Sequence, residues 1–436
     1  MQQAVETPTR PLERQLTLTV PVAQLETEIA ERLRKLTRTV KMQGFRPGKV
    51  PLKMVERHYG FQVRQEVLND SFVRSFDEAV RQGNYRVAGL PRFEPVASGE
   101  GATDVQYQAV FEVYPEVALG DLSAVAVTRP VTPVTDAEVE RTLETLRKQR
   151  AKFERVERAA KTGDLVNIDF TGRIDGTPFD GGSGQAFTVV LGEGRMLPDF
   201  EKALEGLAAG VEKVFELTFP EDYAEQLKGK KAEFTVKANE VAEPKLPELD
   251  AEFARSLGIE DGDVSRMRAE VRQNVEREVM KRIAARVKDQ VMEGLVAAAR
   301  FDVPRSLVDQ QVARMREEAV AELKSRGMTT DDLQLPAELF AERAERRVRL
   351  GLAVSDVVRV QGLQAKPEQV RKVIEEHAES FERPAEMVRW FYGQRERMAE
   401  VEALVVEDNV VEWALGRMAV KDEPMAFEDL MGTKKP

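Results

Sequence analysis

Leu16, Leu18 and Val20 alternate with polar residues up to Pro21, the period-two pattern of a half-buried strand. Leu25, Ile29, Leu33, Leu36 and Val40 then recur at helical spacing, and Val63, Val67, Phe72, Phe76 and Val80 repeat that pattern in a second helix. Period two returns at Val105, Tyr107, Ala109, Phe111 and Val113 and stops at Pro115. Residues 1–115 therefore read as an α+β domain, with a loop from Met42 to Pro51 projecting between its helices. From Asp121 to Pro133 the chain reads as extended, because Pro130 and Pro133 block a helix. Thr135 and Glu138 then carry the signature of a capping box ahead of Val139, Leu143 and Leu146. Residues 116–150 are thus a linker and a helix.

The pattern changes again at Gly163. Val166, Ile168 and Phe170 alternate, Asp175-Gly176 signals a hairpin, and Phe215–Phe219 and Phe234–Val236 read as further strands. Glycines crowd this stretch, at 163, 172, 176, 181, 182, 184, 192, 194, 206 and 210. Residues 151–242 form a β-rich module, closed by the proline-containing segment Glu243–Asp250. Beyond it Met267, Val271, Val275, Val279, Ile283, Val287, Val291 and Leu295 hold an apolar stripe every fourth residue. Pro304, Gly327, Pro336, Pro367 and Pro384 mark the ends of later helices, so residues 243–436 read as an all-α body with long helices or arms. The fold class expected is multidomain α+β.

Composition narrows the chemistry. The 436 residues include no cysteine, which removes disulfides, thiolate metal sites and a cysteine nucleophile. His58 and His377 are the only imidazoles, so no multi-histidine metal site is expected. No apolar run approaches the ~18 residues of a membrane span. Residues 1–15 lack the apolar stretch of a secretory signal, and a cytoplasmic location is expected. The net charge is −11. Yet between Arg32 and Arg57 nine basic residues (Arg32, Arg34, Lys35, Arg38, Lys41, Arg46, Lys49, Lys53, Arg57) face one acid, Glu56, and nine minus one leaves +8. A basic run is ordinarily a solvated helix face; one this local in an acidic chain is also the footprint of an anionic partner.

Inside that run lies Gly44-Phe45-Arg46-Pro47-Gly48-Lys49. Two glycines permit a tight turn that presents Phe45 between cations, a combination suited to an RNA backbone with an adjacent apolar contact. The loop resembles the ribosome-docking signature of trigger factors and stands where that family has it, after the first long helix. By that resemblance Phe45, Arg46 and Lys49 dock the chain, and Gly44 and Gly48 shape the turn. Pro47 departs from the basic residue that many members carry there.

A second stretch runs from Gly163-Asp164 through Phe170-Thr171-Gly172, Phe179-Asp180-Gly181-Gly182, Leu191-Gly192 and Pro198-Asp199-Phe200-Glu201 to Phe219-Pro220-Glu221-Asp222-Tyr223 and Phe234. Over the whole module this resembles FKBP-type prolyl isomerases. The resemblance implies a proline pocket lined by Phe170, Phe179, Asp180, Phe187, Met196, Leu197, Phe200, Tyr223 and Phe234, with Asp180 and Tyr223 as its polar contacts. Asp199 stands where the family commonly has glycine, at an expected helix start where aspartate is a good cap. Such a reaction needs no cofactor or metal, and Phe215, Phe219 and Val236 read as core.

Ten of the 14 methionines fall in residues 246–436, in helices that also resemble the trigger factor body. Methionine suits adaptable binding surfaces, although Met267, Met280 and Met315 read equally well as core. The resemblance, which covers nearly the whole chain, implies that residues 116–149 pack with these helices as a discontinuous body that cradles unfolded chains. The function expected is a ribosome-associated chaperone that shields nascent polypeptides and isomerises X-Pro bonds. The alternatives are a dedicated isomerase with targeting domains and a holdase with a non-catalytic isomerase fold. The partners expected are the large ribosomal subunit near the chain exit, through protein and ribosomal RNA, and nascent or unfolded polypeptides. A homodimer off the ribosome is a further expected partnership; membrane and DNA are not partners.

Overall fold

A computed structural model describes residues 10–43, 45, 48–96, 103–221, 223, 227–326, 328, 335–378, 381 and 383–432. It contains two compact units, Met1–Arg129 with Ala285–Asp422, and Pro130–Ala284 with Glu423–Pro436.

The first unit opens with β1 (Glu13–Pro21), α1 (Val22–Thr39), α2 (Leu52–Gln82), β2 (Val87–Pro95) and β3 (Asp104–Val113). The three strands form one antiparallel sheet in the order β1-β3-β2. Alternation puts Leu16, Leu18 and Val20 of β1 on the same buried face as Tyr107, Ala109 and Phe111 of β3. Leu25, Ile29 and Leu33 of α1 and Val55, Val63 and Val67 of α2 cover that face. Tyr107 is its most enclosed large side chain: its ring lies 3.8 Å from that of Phe72, and its hydroxyl donates to the Phe72 carbonyl at 3.0 Å.

Along the chain follow β4 (Ala126–Val131) and α3 (Asp136–Gln149). The capping box is present, with Thr135 and Glu138 satisfying each other's backbone. Next comes a five-stranded module. It holds β5 (Lys152–Arg155), β6 (Leu165–Ile174), β7 (Thr177–Val190), α4 (Pro198–Leu204), β8 (Glu212–Thr218) and β9 (Lys231–Lys245). Its strands run in the order β5-β9-β6-β7, with β8 also on β9. Asp175 and Gly176 turn the β6–β7 hairpin with φ of +50° and +79°, the left-handed pair that a tight two-residue turn demands. Arg158 closes the module. It grips buried Asp164 at 2.6 and 3.0 Å and Glu243 at 2.9 Å. Burial pushes the Asp164 carboxyl up, but Arg158 and the Lys161 N–H outweigh it and hold it below the usual range.

The rest is helical: α5 (Ala251–Ser256), α6 (Val264–Ala298), α7 (Arg305–Ser325), α8 (Glu338–Gln361), α9 (Pro367–Ala378), α10 (Pro384–Tyr392), α11 (Arg395–Leu415) and α12 (Phe427–Met431). One departure from an all-α body is β10 (Ala419–Pro424), which pairs with β4 in a two-stranded sheet. Every residue of the α6 stripe is buried or half-buried. Met267, Val271, Val275 and Val279 pack with Val139 and Leu143 of α3, Phe253 of α5 and Leu430 of α12, so chain segments on both sides of the β module share one core. Helix α7 has no side-chain cap from Pro304. Glu112 of β3 supplies it, accepting the Arg305 and Ser306 N–H groups at 3.1 and 2.6 Å. Met267 and Met315 are core, as expected, but Met280 is 64% exposed: it lies off the apolar stripe. No helix among the described residues is long and apolar enough to cross a membrane.

Burial pushes the Tyr107 phenol up to about 12, against about 10 in an unfolded chain. Folding therefore favours the neutral phenol. The stability tied to it is complete below about pH 10 and is lost as pH rises through about 12. Unfolding free energy measured across that window should fall more steeply for the native chain than for Tyr107→Phe. Parallel curves would show that the phenol is not buried.

Candidate functional site

The β module's core is a lattice of phenylalanines. Phe200, on α4, is 2% exposed, and Phe234, on β9, is 5% exposed. Their rings meet edge to face at 5.3 Å. Phe200 also meets Phe215 at 5.3 Å and Phe170 at 5.9 Å, and Phe179 meets Phe234 at 6.1 Å. Edge-to-face pairs bring the positive ring edge to the negative ring face and add ~0.5–1.5 kcal/mol each beyond the area they bury.

Glycine makes the lattice possible. A Cβ on Gly172 would lie 2.6 Å from Phe234 and 2.9 Å from Phe179; one on Gly184 would lie 2.7 Å from Phe170. Gly182 leaves the same room for Phe179, 2.8 Å from where its Cβ would stand. The rings occupy the places of side chains that the strands lack.

Around this floor the exposure rises. Phe170, Phe179, Met196 and Leu197 are half-buried and pack on the core, while Phe187 and Tyr223 are 42% and 44% exposed. Phe187 meets Phe170 edge-on at 5.8 Å. Tyr223 lies against Phe219 at 5.0 Å, and Phe219 backs onto Phe179 at 5.9 Å. Asp180 is exposed next to Phe179, with no hydrogen-bond partner among the described residues. The structure thus gathers eight of the nine expected side chains into one set of ring and packing contacts, and leaves Asp180 at its edge.

One residue differs from its sequence reading. Asp199 is not a cap: Leu197 is the N-cap of α4 and Pro198 opens the helix, so Asp199 stands exposed in the first turn, 3.7 Å from Lys202. The buried carboxylate that matters is Glu201. It accepts the Gly192 N–H at 3.0 Å and the Met196 N–H at 3.2 Å, and so ties the loop carrying Met196 and Leu197 to α4. Glu201 stands in the Pro198-Asp199-Phe200-Glu201 motif with no role assigned from the sequence. An acid directly after a buried Phe on a short helix was the available signal.

The basic loop lies in the other unit. Its C-terminal side is anchored by Val50, 5% exposed in the sheet–helix core, and by Pro51 at the start of α2. Phe45 is 38% exposed and its N–H donates to the Met42 carbonyl at 3.1 Å. Gly48 has φ +79°, which a side chain would strain, and Lys49 is exposed. Gly44, Arg46 and Pro47 lie outside the described residues. Arg32 belongs less to this field than its sequence position implied: it is paired with Asp70 at 2.6 Å and Glu66 at 4.0 Å, where α1 meets α2. Arg34, Lys35, Arg38, Lys41, Lys53 and Arg57 are exposed and, like Lys49, have no ion pair among the described residues.

Comparison with known proteins covers all three regions. Residues 1–146 match the profile of the bacterial trigger factor protein, residues 156–242 that of the FKBP-type peptidyl-prolyl cis-trans isomerase, and residues 263–416 that of the trigger factor C-terminus. Trigger factor from Nitrosospira multiformis is 49% identical over 423 residues, covering 97% of each chain. That from Bordetella avium is 52% identical over 435 residues, covering 99% of this chain and all of its own. That from Aromatoleum aromaticum is 51% identical over 423 residues, covering 97% of each. With that identity along nearly its whole length, the chain belongs to the trigger factor family, chaperones acting on substrate polypeptides that carry an FKBP-type peptidyl-prolyl isomerase domain.

Proposed function

We propose that this chaperone works at the ribosome, docked through the loop Gly44–Lys49, and that its isomerase pocket is the phenylalanine lattice around Phe200. The single observation that carries the pocket is the gradient in exposure, from Phe200 and Phe234 through half-buried Phe170 and Phe179 to the open Phe187 and Tyr223. A prolyl ring seated on such a gradient leaves water while its flanking peptide stays at the rim.

The reaction asks for little else. The barrier is rotation about a C–N bond with partial double-bond character, ~18–20 kcal/mol without a catalyst. The planar amide is more dipolar than the twisted transition state. A dry aromatic surface therefore penalises the ground state more than the transition state, and no bond to the enzyme need form. In this reading Asp180 and Tyr223 orient the peptide, and Glu201, which accepts the Gly192 and Met196 N–H groups, steadies the loop carrying Met196 and Leu197.

The docking reading rests on the chemistry of the loop: an exposed phenylalanine, a left-handed glycine and, among the described residues, Lys49 without an ion pair next to a well-anchored end. Cations of this kind bind RNA phosphates by releasing counterions. Emerging polypeptide would meet the helical body, where Trp390, Tyr392 and Phe381 are 50%, 49% and 42% exposed. The boundaries 1–115, 116–150, 151–242 and 243–436, the discontinuous cradle, a second copy as partner off the ribosome and a cytoplasmic, partly ribosome-bound location belong to the same reading.

Tyr223→Ala removes an exposed ring, so it should leave the melting curve within about 0.5 kcal/mol of the native one. It should lower isomerisation of a proline tetrapeptide at least about tenfold, the scale of one lost polar contact in an apolar site. Full activity in this variant would place the pocket elsewhere. Phe45→Ala with Lys49→Ala should release the chain from pelleted ribosomes while leaving its isomerase rate intact. Unchanged pelleting would defeat the docking assignment.

A further inference from the structure

Ala186 stands in a backbone conformation that its side chain disfavours. Its φ is +51°, in the left-handed region that glycine ordinarily fills. The strand register gives the cause. β6 and β7 pair Ile168 with Phe187 and then Phe170 with Gly184, so Asp169 alone faces both Gln185 and Ala186. This is a β-bulge, and its left-handed residue is an alanine.

The Ala186 peptide is held from both sides. Asp169 Oδ1 accepts its N–H at 2.7 Å. Asn167 Nδ2 donates to its carbonyl at 3.2 Å and to Thr188 Oγ1 at 3.3 Å. Asn239 Nδ2 donates to Asn167 Oδ1 at 3.1 Å and so fixes the amide that grips the carbonyl. The Ala186 N–H and then the Asn239 amide hold the Asp169 carboxyl below the usual carboxylate range, as expected for a carboxylate that is charged while it grips.

What the clamp positions is the next residue. Phe187 is 42% exposed, and its one ring partner among the described residues is Phe170, met edge-on. Its direction is set by the backbone behind it. We propose that Asp169, supported by Asn167 and Asn239, is a positioning residue for isomerisation: it holds Ala186 left-handed and thereby keeps Phe187 at the rim of the pocket. This rests on the reading of Phe187 as a pocket residue. Asp169 itself touches no substrate; it acts through Phe187.

The test is a set of kcat/KM measurements on one X-Pro peptide, with melting curves alongside. Asp169→Ala should lower kcat/KM about tenfold, the weight of one charge-assisted hydrogen bond. Asp169→Asn, which keeps an acceptor without the charge, should lose only about threefold. Glycine adopts the bulge conformation unaided, so in an Ala186→Gly background the loss from Asp169→Ala should shrink to about threefold or less. In a Phe187→Ala background Asp169→Ala should cost nothing further, although it still lowers the melting temperature. A purely structural aspartate would instead cause the same loss in all three backgrounds, and that result would overturn the proposal. So would a Phe187→Ala variant with native kcat/KM, which removes the reading beneath it. Hydrogen exchange at the Ala186 amide separates these failures. Slow exchange in the native chain and fast exchange in Asp169→Ala shows the clamp intact and the role of Phe187 at fault. Equal exchange shows that there is no clamp.

Discussion

Phe200 can be buried at the centre of the β module only because Gly172, Gly182 and Gly184 carry no side chains. Three glycines on two paired strands leave a space that Phe170, Phe179 and Phe234 enter, and Phe200 closes it from the helix that follows. Each ring is fixed by another ring rather than by a polar bond, and together they form the floor of the proposed pocket. Interiors packed to crystal-like density transmit small changes, which makes the lattice sensitive to a single methyl group. The polar groups of the module stand behind this floor. Glu201 ties the loop carrying Met196 to α4, the Asp169–Asn167–Asn239 group holds the Ala186 peptide, and Arg158 with Asp164 closes the module.

The helical parts follow a different logic. Their surfaces carry many exposed ion pairs, such as Arg266 with Glu270 and Arg282 with Glu278, each worth at most ~1 kcal/mol. Cohesion comes from buried apolar clusters: α9 and α11 share one through Val370, Ile374, Val401 and Val405, and another forms on the buried stripe of α6. Its earlier residues join α3, α5 and α12 in one core, which makes a body from chain segments far apart in sequence. Trp390 and Tyr392 of α10, and Met280 off the α6 stripe, remain exposed.

Periodic elements were legible in the sequence, and elements that break periodicity were not. Strands β1 and β3 and the helices of the N-terminal domain, the capping box at Thr135, the Asp175-Gly176 turn and the α6 stripe follow from local pattern. β2 escaped because Pro91 and Pro95 interrupt it; it lies at the sheet edge with a bulge between Ala88 and Arg92, where a missing N–H is tolerated. β7 was announced only by its turn at Asp175-Gly176, because glycines interrupt its apolar alternation, although they serve the rings opposite. β9 runs through Pro244 because that residue pairs only with Phe153, beyond the β6 ladder. The aromatic residues of the site were named from a resemblance to a whole family. Glu201 and Asp169 were not, since their roles depend on which backbone N–H they meet, and that is decided by a loop and a bulge. Arg32 shows the converse: a cation counted in the basic field is occupied by Asp70 across the helix pair.

The central claim is that this site isomerises X-Pro bonds by enclosing the amide among aromatic rings, with no proton passed to or from it. The most direct measurement is kcat/KM for one X-Pro peptide in light and heavy water. Enclosure leaves the two values equal, because no exchangeable proton moves as the bond twists. A clear slowing in heavy water would mean that proton transfer contributes to the barrier, and catalysis by the ring lattice alone would be contradicted.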